Sequence, residues 1–193
     1  MSEEHKYIEE FVRLSCAPDL LSTYLFPNAK EITESFACYD AVRKYIWEDI
    51  SPRDDKIIFF AVGDGNQPRT AATFAHRTKW TCVSIDPLLS IGNNKYYTKH
   101  PKIERLYMLR DKVENIKEPF IKDLDSRIVI IGLVHSHAQI NDVYDKLKGR
   151  ETYIISIPCC VRQDDIYGRK PDVEYEDVGI WSTKNLVKLW KFK

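Results

Sequence analysis

Residues 56–65 read Lys56-Ile57-Ile58-Phe59-Phe60-Ala61-Val62-Gly63-Asp64-Gly65. An unbroken apolar run has no polar face, so it suits a strand covered on both sides, as in a parallel sheet. Gly63 and Gly65 permit a tight turn at its end. A helix beginning near Pro68 and running to Arg77 then points unsatisfied N–H groups back at that turn. Strand, glycine turn and helix together predict the first unit of an α/β sheet.

Downstream, the same rhythm continues. A second strand starts at Trp80 and is stopped by Pro87. A loop through Gly92-Asn93-Asn94 leads to a third strand over 103–109, and a helical segment is expected over 112–120. Arg127 to Val134 reads as the fourth strand, 140–147 as a helix and 153–157 as the fifth strand. This alternation implies a doubly wound sheet. The tail departs from it. Residues 171–182 and 186–192 read as two strands joined by Thr183-Lys184-Asn185, and so short a connection requires an antiparallel hairpin.

Upstream, residues 1–54 read as helical. Tyr7, Ile8, Phe11 and Leu14 fall at helical spacing, and Pro18 and Pro27 are expected to interrupt. Ile32, Phe36, Tyr39, Val42, Ile46 and Ile50 form one stripe of a longer helix closed by Pro52. The expectation is one domain over 1–193: an N-terminal helical extension (1–54) and an α/β part (55–193).

Composition narrows the partners. The chain has 193 residues, with 29 Lys+Arg balanced by 29 Asp+Glu. Zero net charge argues against binding nucleic acid by bulk electrostatics. No apolar run approaches the roughly 20 residues a membrane span needs, so no membrane partner is expected. Cys16, Cys38, Cys82, Cys159 and Cys160 are odd in number, which suits reduced thiols. The acidic start is unlike a signal or transit peptide. A cytoplasmic location is therefore expected.

Five alternating units followed by an antiparallel hairpin resemble the class I S-adenosylmethionine (SAM) dependent methyltransferases. Their fold is a doubly wound, mostly parallel, seven-stranded Rossmann-like sheet whose last strand inserts antiparallel. In that family the loop after the first strand carries a G-x-G pattern under the methionine part of SAM, matched here by Gly63, Asp64 and Gly65. Ala61 stands where the family has an acidic residue, and the third glycine is replaced in the Gln67-Pro68 region. The resemblance places Asp86, at the end of the second strand, on the ribose hydroxyls, and Asp111 near the adenine. Arg69, at the start of the helix after the glycine turn, is positioned for the methionine carboxylate, or for a phosphate in another ligand.

Val134-His135-Ser136-His137 follows the fourth strand, where the family keeps catalytic or substrate-facing groups, and His135 and His137 are the candidate bases. Together with Cys159 they are expected to line the mouth of one pocket. No metal site is expected, because Cys159 and Cys160 are adjacent and adjacent thiols rarely ligate one ion. The resemblance implies a SAM-dependent methyl transferase activity, with a nucleic acid, protein or small molecule as acceptor. Selection of that acceptor would fall to the N-terminal helices and to loops 87–101 and 158–172. The alternative is a non-catalytic scaffold or partner subunit, contacting a protein through its N-terminal helices. Ala61 and the missing glycine point that way.

Overall fold

The computed structural model describes residues 3–92, 96–116, 121–160 and 163–193. Parts of the loops expected to select the acceptor, Asn93 and Asn94 among them, lie outside the described residues. So does the end of the helix expected over 112–120.

The apolar run at 57–62 forms β1 (Ile58–Val62), buried along its whole length. It pairs in parallel with β2 (Thr81–Ile85) on one side and β5 (Ile128–Val134) on the other. β4 (Leu106–Leu109) pairs in parallel with β2, and β6 (Glu151–Ile157) with β5. At the tail, β7 (Val173–Glu176) and β8 (Leu186–Phe192) form the expected antiparallel hairpin. The last strand lies between β6 and β7, antiparallel to both. With β3 (Tyr97–Lys99) at one edge, the described strands form one sheet of order β3-β4-β2-β1-β5-β6-β8-β7.

Several details differ from expectation: among them, the long N-terminal helix ends at Tyr45 rather than at Pro52, and the strand expected over 103–109 begins at Leu106. β3 (Tyr97–Lys99) adds an eighth, antiparallel edge strand beside β4. Its three residues are too short for any period-two pattern to register. The strand expected over 171–182 stops at Glu176, because Asp177 turns inward to meet the N-terminal helices. The segment expected as a helix over 112–120 shows only a single 3-10 turn at Val113–Asn115 among its described residues. Among the described residues, only the β1–β2 and β5–β6 crossovers therefore carry an α-helix: α4 (Arg69–Arg77) and α5 (Ile140–Leu147). Pro18 does not break a helix. It sits in the first turn of α2 (Ala17–Ser22), where a missing N–H costs nothing.

Alternate strand residues bury against opposite layers. Phe59, Ala61, Cys82, Ile130, Tyr153 and Ile155 face a layer built from α1 (Lys6–Val12), α3 (Ala29–Tyr45) and α4. Ile58, Phe60, Val62, Val129, Ile131 and Leu133 face α5, through Ile140, Val143 and Leu147. The long helix α3 starts where the Asn28 side chain accepts the Glu31 N–H. It packs on α4, β5, β6 and β8. From Ile32 to Tyr39 every side chain is buried, including Thr33, Glu34 and Ser35. The N-terminal helices are thus one of the two layers that cover the sheet.

Candidate functional site

In open α/β sheets, ligands bind beyond the carboxyl ends of the strands. Here the ends of β1, β2, β4 and β5 open onto one cavity of about 580 Å³. That volume suits a small-molecule or cofactor site. Its lining brings together Gly63, Asp64, Gly65, Arg69, Asp86, Asp111, His135 and His137.

The turn after β1 is built by its neighbours. Gly63 has φ +76°, and a Cβ there would lie 2.4 Å from Ser136 Oγ and 2.9 Å from Ser136 Cα. Only glycine fits both the left-handed backbone and the close approach of the loop after β5. The Asp64 side chain turns away from the cavity. Its carboxylate accepts the Thr70 and Ala71 N–H groups at 2.9 and 3.2 Å and the Ser84 hydroxyl at 3.0 Å. It therefore supplies a negative charge at the start of α4, where the helix dipole favours one. Burial pushes its carboxyl above the ordinary value, opposed by those N–H donors and the nearby Arg69 guanidinium.

Asp86 is 8% exposed, less than a strand end implies. One carboxylate oxygen accepts the Gly65 N–H at 2.9 Å and the other the Leu88 N–H at 2.7 Å. The second contact is the Asx-Pro turn typical of Asp-Pro sequences. The first ties the acidic strand end to the glycine loop. Asp111 accepts from the Lys112 N–H and the Asn115 amide at 2.7 and 2.8 Å, so it also orders its own turn.

Arg69 donates to the Asp64 carbonyl at 3.2 Å, and its Nε lies 3.2 Å from a Glu31 carboxylate oxygen. Glu31 and Glu34, both from α3, line the same cavity. The sequence pattern does not single them out, because the apolar stripe of α3 dominates it. The signal was Thr33-Glu34-Ser35 placed between Ile32 and Phe36, a polar triplet in a stretch buried throughout from Ile32 to Tyr39. Glu34 Oε1 lies 3.3 Å from His135 Nδ1 and 2.7 Å from Lys30 Nζ.

His135 has φ +51°, an uncommon conformation for a residue with a side chain. Its Nε2 lies 3.3 Å from the Lys184 carbonyl. The ring thus sits between the buried glutamate and the turn of the C-terminal hairpin. His137 Nε2 lies 3.1 Å from Cys160 Sγ. Cys159 is not among the cavity-lining residues, contrary to expectation. Its thiol instead donates to the His135 carbonyl at 3.6 Å.

On the N-terminal helices that the scaffold alternative makes a contact surface, Tyr7 and Tyr39 are buried, while Tyr24, just beyond α2, is exposed. No described helix is long and apolar enough to cross a membrane.

The chain matches no protein-family model, and no curated protein matches its sequence. Solved structures give low-scoring likenesses. A 16S rRNA (adenine(1408)-N(1))-methyltransferase from Catenulisporales acidiphilia is 13% identical over 74% of this chain and 93% of that one, with a TM-score of 0.45. A mutant of that enzyme with cosubstrate SAM is 16% identical, with a TM-score of 0.36. That match covers 60% of this chain and 66% of the other, a little under two thirds. MtNAS in complex with MTA and tNA is 12% identical over 99% of this chain and 70% of that one, with a TM-score of 0.45. At these scores the likenesses carry no weight here. The sheet order rests on this chain's own strand pairing.

Proposed function

We propose that the protein is a SAM-dependent methyltransferase acting in the cytoplasm. One observation carries the reading. The Gly63–Gly65 turn, Asp86 and Asp111 leave the ends of three neighbouring strands and meet in a single cavity.

The residues present suit SAM. Gly63 and Gly65 hold the turn at positive φ beneath the cavity, and Asp86 stands at the end of the strand beside it. Five carboxylates line the cavity (Glu31, Glu34, Asp86, Asp111 and Glu114), against Arg69 and Lys112 as its only Arg or Lys among the described residues. That excess favours a ligand carrying a positive centre such as a sulfonium, and disfavours a nucleotide polyphosphate. Bound there, SAM supplies an activated methyl group. The chain's own part is to bind, orient and exclude water from two reactants. Asp86 would accept the ribose hydroxyls, Asp111 would meet the adenine, and Arg69 would meet the carboxylate. His135, steadied by Glu34, and His137 line the acceptor side as candidate bases. The acceptor stays open among nucleic acid, protein and small molecule. None of the five cysteines forms a disulfide, which suits a reducing compartment.

A second reading, a non-catalytic scaffold or partner subunit, is favoured by a specific observation. Both imidazoles and both Asp86 oxygens already have partners within the chain. Calorimetric titration with SAM separates the two. Saturable binding, with a thermal stabilisation that grows with ligand concentration, supports the enzyme. No binding at millimolar SAM leaves the scaffold.

A further inference from the structure

We propose that His137, Cys159 and Cys160 form a binding site for a thiophilic divalent metal, of which Zn²⁺ fits best.

The site is set by strand register. β5 and β6 run in parallel with Val134 level with Ile157. Three residues beyond each of these come His137 and Cys160, so the two loops leave the sheet side by side. Cys159 ties the loops together through its thiol contact with the His135 carbonyl. The three donor atoms, one nitrogen and two sulfurs, all lie within 4.8 Å of one another.

Distances decide whether one ion can serve all three. Zinc bonds of about 2.3 Å to sulfur and about 2.0–2.1 Å to nitrogen set tetrahedral edges of about 3.8 Å between sulfurs and about 3.6 Å between sulfur and nitrogen. Cys159 Sγ and Cys160 Sγ are 3.5 Å apart, and Cys160 Sγ is 3.1 Å from His137 Nε2. Both separations fall within half an ångström of the ideal edges, and the third, from Cys159 Sγ to the His137 ring, is within 4.8 Å, so the Cys159 thiol must move toward the ion on binding. The adjacency of the two cysteines, which argued against a shared ion in the sequence, is compatible with it here because both sulfurs turn to the same side. An S₂N donor set selects soft or borderline metals and excludes Mg²⁺ and Ca²⁺, which require oxygen. His137 and Cys160 are exposed, so an ion can enter from solvent. Three protein ligands leave a fourth position for water.

The test uses the full chain, kept reduced because exposed neighbouring thiols oxidise, and stripped of metal with a chelator. Co²⁺ is added first as a spectroscopic probe. One equivalent is expected to give thiolate-to-cobalt charge-transfer absorption and the ligand-field bands of four-coordinate cobalt. Zn²⁺ should then displace it and bleach the spectrum. The Cys159→Ser, Cys160→Ser double variant should lose the charge-transfer band, while Cys16→Ser keeps it. His137→Ala should weaken cobalt binding by more than about tenfold, the loss that even an indirect partner of a ligand can cause. Absence of the band in the wild-type protein, or its persistence in the double variant, overturns the proposal. If the double variant loses its fold by circular dichroism, His137→Ala decides: unchanged cobalt affinity in that variant also overturns it. None of these readouts needs SAM, so the metal site and the methyltransferase reading can fail separately.

Discussion

Asp86 holds the turn after β2, the proposed function gives it a ligand to hold as well, and its substitution separates the two. As the ribose acceptor, it should contribute about 1.5–3 kcal/mol to SAM binding, the range for hydrogen bonds to charged groups. Asp86→Ala is therefore expected to weaken SAM affinity by about tenfold or more in calorimetry. A strand-end carboxylate in water would leave stability unchanged. This one holds the Gly65 and Leu88 N–H groups, so the same variant should also lose about 1 kcal/mol in denaturant unfolding. Lost stability with intact affinity would reduce Asp86 to a loop anchor. Gly63 gives a companion prediction. Gly63→Ala must place a Cβ against the Ser136 backbone at φ +76°, which should cost more than about 1 kcal/mol and abolish SAM binding. A variant that folds and binds like the wild type would make the loop an ordinary turn. The positions of Gly63, Asp86 and Asp111 were legible because strand ends follow from the apolar runs, and position relative to a strand end is what places a residue in the cavity. Their internal hydrogen bonds were not legible. A carboxylate that caps a turn and one that meets a ligand have the same sequence, Asp before Pro or before Lys.

At the scale of elements, the end of α4 packs beside the loop after β3. Burial lowers the tendency of His76 to protonate, with Arg105 acting in the same direction and Asp19 opposing. Burial also lowers that of His100, reinforced by His76 and Lys102. Independent geometry agrees for His100, whose Nδ1 accepts the Lys102 and Ile103 N–H groups and must therefore carry no proton. Both imidazoles thus protonate less readily in the folded state than in the unfolded chain, whose histidines titrate at about 6.5. Above that pH neither state binds the proton, and their contribution is fully present. As pH falls below it, the unfolded chain protonates first and stability is lost. Unfolding free energy should decline from pH 7 to pH 5, and a His76→Gln, His100→Asn variant should flatten that slope. An unchanged slope would assign acid sensitivity to other groups. The same region shows why some elements escaped the sequence. β3 is three residues long, and it pairs antiparallel with β4 across the short connection 100–105, with no periodicity of its own to mark it. The long apolar strands β1, β5 and β6 were legible because burial on both faces writes itself as consecutive Val, Ile, Leu and Phe.

For the whole molecule, the boundary near residue 54 is a boundary of sequence pattern, and the packing crosses it. α3 lays Phe36, Ala37, Cys38 and Tyr39 onto the sheet layer that contains Phe59, Ala61, Ile130 and Tyr153. It also supplies Glu31 and Glu34 to the cavity. The first helix is fastened to the far end of the chain. Asp177, in the turn of the C-terminal hairpin, accepts the Tyr7 hydroxyl at 2.5 Å and lies 2.8 Å from Lys6 Nζ. Its side chain is 1% exposed, so removing either side of this contact leaves a buried polar group behind. Asp177→Ala is expected to cost about 3 kcal/mol, within the range for breaking a buried ion pair by removing one partner. A fragment spanning 55–193 faces a larger loss. It would expose an apolar sheet face normally covered by α1 and α3, and truncating Phe36 alone should cost about 3–5 kcal/mol. Losses of that size compare with the whole 5–15 kcal/mol that stabilises an ordinary domain. The fragment should therefore aggregate or show no cooperative unfolding. A soluble 55–193 fragment that melts cooperatively would make the N-terminal helices a true extension. If that fragment also bound SAM, Glu31 and Glu34 would have no part in the cofactor site.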